Sequence, residues 1–204
     1  MVHPPYLLRW MYPGVKWRIP GKEKVLYLTF DDGPVPEVSP EVLRILKHHQ
    51  AKATFFCIGD NVRKYPGLYQ QIRAEGHRVG NHTFSHLNSW KVSSTDYLRD
   101  TGRATHYIES SLFRPPYGKL TPPVLYALKK QFRIYMWDVI SNDFDAELSP
   151  DQVLSNVLRY SREGSIVVFH DSIKAAPRLL PVLPAVLDHF SKLGYRFASL
   201  PGDQ

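Results

Sequence analysis

Residues 27–34 read YLTFDDGP, an apolar run that ends in two adjacent acids and a Gly-Pro pair. The run itself, Val25–Phe30, is short, rich in β-branched and aromatic residues, and scarcely broken by polar positions. A strand covered on both faces has that character, whereas a strand with one wet face alternates. Asp31 and Asp32 therefore stand at the exit of a buried strand. Like charges side by side repel, so the pair needs a reason. A cation beside them would supply one, and so would different tasks for the two carboxylates.

The same grammar repeats outward from this stretch. Ala53–Ile58, His77–Gly80, Leu112–Arg114, Arg133–Trp137, Ser165–His170 and Tyr195–Ser199 are further strand candidates. Helix signals lie between them. Ser39-Pro40-Glu41 reads as an N-cap, a proline at the first helical position and an acid in the first turn, opening EVLRILKHH. Ser149-Pro150-Asp151 repeats the pattern before QVLSNVLRY, and Thr121-Pro122-Pro123 opens VLYALKK. Gly76 and Gly194 follow helical runs and precede strands, as glycines that close helices do. About seven strand–helix alternations predict an α/β fold whose parallel sheet closes into a barrel. A barrel places its chemistry at the C-terminal ends of its strands.

At 204 residues and 23.5 kDa the chain has the size of one domain. We expect residues 25–204 to form it, with residues 1–24 as an N-terminal extension packed on it. The formal net charge is +7, but Lys and Arg are scattered, with no basic run and no nucleic-acid motif. Nucleic-acid binding is therefore not the expected function. The one cysteine, Cys57, excludes a disulfide framework within the chain, and its apolar setting (TFFCIG) suits a buried, inert thiol. No stretch approaches the roughly 18 apolar residues of a membrane span, and the N-terminus lacks the apolar core of a signal peptide. The expectation is a cytoplasmic chain, with association with the cell envelope as the alternative.

Four more motifs fall at expected strand ends. In NHTFSH (81–86), His82 and His86 are four apart, and one helical turn would put both imidazoles on one face. Two neutral histidines and one carboxylate, Asp31 or Asp32, are a common catalytic zinc set, and the flanking Ser and Thr could bond the imidazoles. In FRPPYG (113–118), two prolines stiffen the chain and leave the Tyr117 amide as the next free donor, an oxyanion contact or an ordinary turn. MWDVISNDFD (136–145) crowds Asp138, Asp143 and Asp145 at a strand exit, with Asp145 read as a solvated acid. IVVFHDS (166–172) ends a buried strand in His170, placed for proton transfer at a barrel mouth.

TFDDG at 29–33, HTFSH at 82–86, RPPY at 114–117, the loop 138–144 and VFH at 168–170 together resemble the polysaccharide deacetylases of carbohydrate esterase family 4, the NodB-homology domain. The likeness runs from about Tyr27 to near Leu200. It implies a distorted (β/α) barrel of about seven strands. It implies that Asp32, His82 and His86 hold a divalent metal, usually Zn2+, with Co2+ or Ni2+ tolerated. Asp31 matches the general base, Arg114 the residue that orients it, and the Tyr117 amide the oxyanion donor. His170 matches the general acid and Asp143 its carboxylate partner. Tyr117, Phe144 and Val168 fall where substrate is met. Family members often carry Asp where this chain has Ile140, Trp where Phe144 stands and Leu where Val168 stands.

The implied reaction is metal-dependent removal of the N-acetyl group from N-acetylglucosamine-type residues of a glycan, releasing acetate. The alternatives are hydrolysis of a small-molecule amide and a catalytically silent glycan-binding protein. The silent protein needs a missing base or acid, and Asp31 and His170 are both present. Iron oxygenases also use two histidines and a carboxylate, but an HxxxH spacing after TFDDG in a barrel argues against that site.

Overall fold

Within the computed structural model, which describes residues 2–5 and 9–202, the strand that opens YLTFDDGP is β1 (Val25–Asp31). It pairs in parallel with β2 (Thr54–Cys57), β7 (Ile166–His170) and β8 (Arg196–Phe197). The remaining strands are β3 (Arg78–Asn81), β4 (Leu112–Phe113), β5 (Arg133–Ile134) and β6 (Val139–Ile140). The order β5-β4-β3-β2-β1-β7-β6 is parallel throughout, with β8 beside the start of β1. The expected α/β barrel is therefore present in distorted form. Among the described residues no ladder joins β5 to β6, so the sheet curls without closing there.

Helices cover the outside: α1 (Ser39–His48), α2 (Gly59–Lys64), α3 (Pro66–Ala74), α4 (Ser94–Ala104), α5 (Pro122–Leu128), α6 (Pro150–Tyr160) and α7 (Ala176–Lys192). Strand alternation sorts β1 into two faces. Leu26, Leu28 and Phe30 point outward into the main core with Phe55, Val167 and Phe169 and the apolar stripes of α1 and α7. Tyr27, Thr29 and Asp31 point into the barrel. There Phe56, Tyr135, Ile166 and Leu200 form a smaller cluster, and Arg114 is fully buried.

Several local expectations need correction. β5 spans two residues of the expected Arg133–Trp137, and Val139–Ile140, unforeseen, makes a further strand that returns to β7. Ser149 caps α6 as expected, with a full capping box through Gln152. Ser39 does not cap α1: Val38 holds the cap position, and the Ser39 hydroxyl is engaged elsewhere. The longest helix, α7, is the helical run expected ahead of Gly194, and it carries Pro181 and Pro184 inside it.

The outer bounds of the expected extension and domain, Met1 and Gln204, lie outside the described residues. Described residues of the N-terminal stretch bond to the barrel. Lys16 exchanges backbone hydrogen bonds with Ile134 and Met136 (2.9 and 2.8 Å), Ile19 N–H donates to Gly164 O, and Arg9 reaches Asp138 at 2.6 Å. Among the described residues no helix is long and apolar enough to cross a membrane. Cys57 is buried, and burial pushes its thiol well above the ordinary range, as expected of an inert cysteine.

Phe30 stacks between Phe55 and Phe169, with ring centroids 4.9 and 5.9 Å away, and is fully buried. Phe30→Ala should cost about 3–5 kcal/mol, a large share of a typical domain's stability. Denaturant unfolding checks this; a loss below about 1 kcal/mol would show that the core collapses into the cavity.

Candidate active site

The two adjacent acids separate because the strand ends between them. Asp31 still follows the β1 alternation and faces the barrel, 4% exposed. Asp32 adopts a positive φ of 80°, turns away, and keeps a partly exposed carboxylate. Arg114 meets Asp31 from within the barrel. Its Nη1 donates to Asp31 Oδ1 and to Thr29 Oγ1, both at 2.7 Å. Nε and Nη2 donate to the carbonyls of Tyr135 and Met136, and the guanidinium lies 4.2 Å from the Phe56 ring centroid.

His82 and His86 converge on Asp32, but not by way of a helix. The chain after β3 is a loop in which Thr83 and His86 hold positive φ of 62° and 56°. Asn81 Oδ1 accepts the Thr83 N–H, and Asp100 Oδ2 on α4 accepts the N–H groups of Phe84 and Ser85. His82 Nε2 and His86 Nε2 lie 3.7 and 3.2 Å from Asp32 Oδ1. The Arg114 carbonyl accepts from His82 Nδ1 at 2.7 Å. A carbonyl only accepts, so Nδ1 carries the proton and Nε2 offers its lone pair to the site. The flanking hydroxyls do not do this work: Thr83 Oγ1 is buried without a hydrogen bond among the described residues.

These residues fit a divalent cation. Ligands at about 2.0–2.1 Å around a tetrahedral zinc stand about 3.4 Å apart, close to the two distances above. One ligand atom from each of Asp32, His82 and His86 lies within 4.8 Å of the others. Asp32 Oδ1 is buried and makes no hydrogen bond among the described residues, although it faces two imidazole nitrogens. Burial pushes the Asp32 carboxyl up, but His86, His170 and His82 outweigh it and hold it well below the usual carboxylate range. Burial drives His82 down to about 4, keeping it neutral, the form that binds metal.

Across β1, the ladder sets His170 directly beside Asp31. Asp143, reached through Asn142 at φ 61°, is fully buried and grips His170 twice. Its Oδ2 accepts the His170 backbone N–H and its Oδ1 the ring Nδ1–H, both at 2.8 Å. Burial alone would lower the imidazole's pKa; Asp143, helped by Asp32 and Asp31, outweighs it and lifts His170 to about 9. Phe144 stands edge-on to the His170 ring at 4.9 Å. Val168 lies on the same strand face, one alternation below, and is buried. Tyr117 holds φ 61°, is 58% exposed, and sets its ring 4.7 Å from His86. Its N–H makes no backbone hydrogen bond among the described residues.

Asp138 does not join this group. It is buried in a separate network with Arg9, Arg162, Ser165 and the N-terminal His3, and is not a solvated acid. Asp145 accepts the Glu147 N–H in the loop, and Ile140 donates its N–H to Val2 O. Sequence reading missed Thr29, Asn61, Asp100 and Asp171. Asn61 Nδ2 donates to Asp32 O at 2.8 Å. Burial pushes Asp171 up to about 8. Each is ordinary by local pattern, Thr29 in a strand, Asn61 and Asp100 in helices and Asp171 just past a strand, and only its three-dimensional partner gives it meaning.

Residues 18–132 match the family described as polysaccharide deacetylase. The chain is 33% identical over 194 residues to a peptidoglycan-N-acetylglucosamine deacetylase of Bacillus cereus, across 91% of each chain. It is 34% identical over 168 residues to a chitooligosaccharide deacetylase of Azorhizobium caulinodans, across 76% of this chain and 77% of that one. The fold is similar to the crystal structure of the Bc1960 peptidoglycan N-acetylglucosamine deacetylase in complex with 4-naphthalen-1-yl-N-oxidanyl-benzamide. The TM-score is 0.85 at 32% identity, over 97% of this chain and 95% of that one.

Because folded His170 titrates above a free imidazole's pKa of about 6.5, its pairing with Asp143 stabilises the fold fully below that pH. That contribution is lost as pH rises through about 9. Asp143→Asn removes the largest raising cause and leaves burial in place. In the metal-free protein the His170 midpoint, followed by NMR of the ring protons, should then fall by at least about one unit. An unchanged midpoint would mean Asp143 does not set it.

Proposed function

The chain belongs to the polysaccharide deacetylase family, and from that premise we propose that it is a metal-dependent hydrolase of N-acetylglucosamine-type residues in a glycan, releasing acetate. The observation that carries this reading is the meeting of Asp32, His82 and His86 within one ion's reach, with Asp31 and His170 side by side on neighbouring strand ends. The relatives named as peptidoglycan and chitooligosaccharide deacetylases support the substrate class.

Asp32, His82 and His86 would hold the metal. Two imidazoles and one carboxylate suit Zn2+, with Co2+ or Ni2+ as substitutes. When bound, the ion supplies Lewis-acid polarisation and acidifies water. Asp31 is the general base. Arg114 engages its Oδ1 and leaves Oδ2 to take the proton as a water oxygen adds to the acetyl carbonyl carbon. The Tyr117 N–H, presented by the rigid Pro115-Pro116 turn, donates to the oxygen that gains charge. His170 Nε2–H gives its proton to the sugar nitrogen as the C–N bond breaks, and Asp143 holds the imidazole by Nδ1–H. Acetate and a free amine leave. Phe144 and Val168 would wall the acetyl group's surroundings.

We take residues 25–204 as the catalytic domain and 1–24 as an extension packed on it, supported by the backbone bonds of Lys16 and Ile19. A formal net charge of +7 suits an anionic cell-envelope glycan, which we propose as its place of work.

The test is acetate release from peptidoglycan fragments and chitooligosaccharides. Chelation should abolish it, and Zn2+ or Co2+ should restore it. Asp31→Asn and His170→Gln should each lower kcat by about 10²–10⁴, with the ion still bound by direct metal analysis. No metal-dependent release from any N-acetyl glycan would sink the reading, and turnover of small amides alone would transfer it to that class.

A further inference from the structure

Asp171, the residue after His170, is fully buried and has no part in the reaction described above. Its side chain and backbone all turn toward the loop that leaves β1. The Asp171 N–H donates to Asp31 O at 3.0 Å. Its Oδ1 accepts the Gly33 N–H at 3.0 Å, and its Oδ2 accepts the Ser39 hydroxyl at 2.5 Å. Ser39 Oγ in turn accepts the Val35 N–H at 2.8 Å. Residues 33–35 are thus clasped by the Asp171 side chain and one hydroxyl, and residue 31 by the Asp171 backbone N–H. From the opposite side Ile58 N–H donates to Gly33 O, and Asn61 to Asp32 O.

Two features show that this clasp is specific to the loop. A Cβ on Gly33 would lie 2.0–2.5 Å from the three carboxyl atoms of Asp171, so only glycine lets the carboxylate close on the backbone. Ser39 begins α1 at a place suited to capping, yet its hydroxyl caps nothing and serves Asp171. Burying an acidic side chain is expensive, and among the described residues Asp171 forms no salt bridge that would offset it. Between the two residues it bonds, Asp31 and Gly33, stands Asp32 at φ 80°, a backbone that a non-glycine residue keeps only when its surroundings hold it there.

We propose that Asp171, with Ser39, is a positioning residue that holds loop 31–35 so that Asp31 and Asp32 face one reacting centre. The kinetic part of its test rests on the deacetylase reading, whereas the metal part does not. Asp171→Asn keeps the shape but weakens acceptance at one of the two oxygens. The measurements are the Zn2+ dissociation constant of the metal-free protein by calorimetry, kcat and KM for acetate release, and Tm. Asp171→Asn should weaken Zn2+ binding and lower kcat by about 10–100-fold with KM little changed, as loss of groups supporting metal ligands does. Ser39→Ala should move both in the same direction by a smaller factor. A folded Asp171→Asn protein with lowered Tm but wild-type Zn2+ affinity and kcat would overturn the proposal and leave Asp171 purely structural. If that variant does not fold, Ser39→Ala decides: unchanged affinity and kcat overturn it. Weakened Zn2+ binding in a protein whose wild type releases no acetate would support the clasp while faulting the deacetylase reading.

Discussion

A guanidinium sealed inside the barrel is the constraint on which the site depends. Arg114 is fully buried, and such a charge is tolerable only when its donors are answered; four of its five N–H groups are. Thr29, Asp31 and the carbonyls of Tyr135 and Met136 answer it, with the Phe56 ring beneath. The carbonyl of the same residue receives His82 Nδ1. One residue therefore orients both the carboxylate assigned as base and one of the imidazoles assigned to the metal. Removing its side chain would strand Asp31 as an unpaired buried acid, a far larger penalty than the pair's own worth.

The parallel ladder supplies the second layer of order. Register alone sets His170 beside Asp31, because β1 and β7 run together for five paired positions from Tyr27↔Ile166 to Asp31↔His170. Beyond the strand ends the backbone leaves its ordinary range repeatedly. Asp32, Thr83, His86, Tyr117 and Asn142 all hold positive φ, and each is a site residue or its neighbour. Unfavourable backbone persists where hydrogen bonds over-determine it. Asn81 and Asp100 bond the loop of Thr83 and His86, and Asn61 and Asp171 bond the loop of Asp32.

The acids of MWDVISNDFD show how position divides labour among identical residues. Asp143 enters the site and holds His170. Asp138 faces the other way, where Arg9, Arg162 and Ser165 consume it and tie the N-terminal stretch to the barrel wall. Asp145 serves its own loop. The N-terminal stretch matters to the architecture because β5 and β6 do not pair among the described residues, and Lys16 takes up backbone groups of Ile134 in β5 and of Met136 just beyond it.

Residue type and local spacing were enough to determine the α/β alternation, the buried parallel strand ahead of Asp31, the Ser149 cap, and the set of acids and histidines at strand ends. These depend on neighbours within a few positions, which a sequence displays directly. The convergence of His82 and His86 was legible as a pairing but not as a geometry, since a loop with two left-handed residues, not a helical turn, achieves it. The fate of Ser39, the clasp by Asp171, the diversion of Asp138 and the helical prolines of α7 were decided by tertiary structure alone. For Ser39, Asp171 and Asp138 the deciding partner stands far away along the chain. A buried polar group must find its hydrogen bond wherever the fold brings one, and that demand overrides local preference.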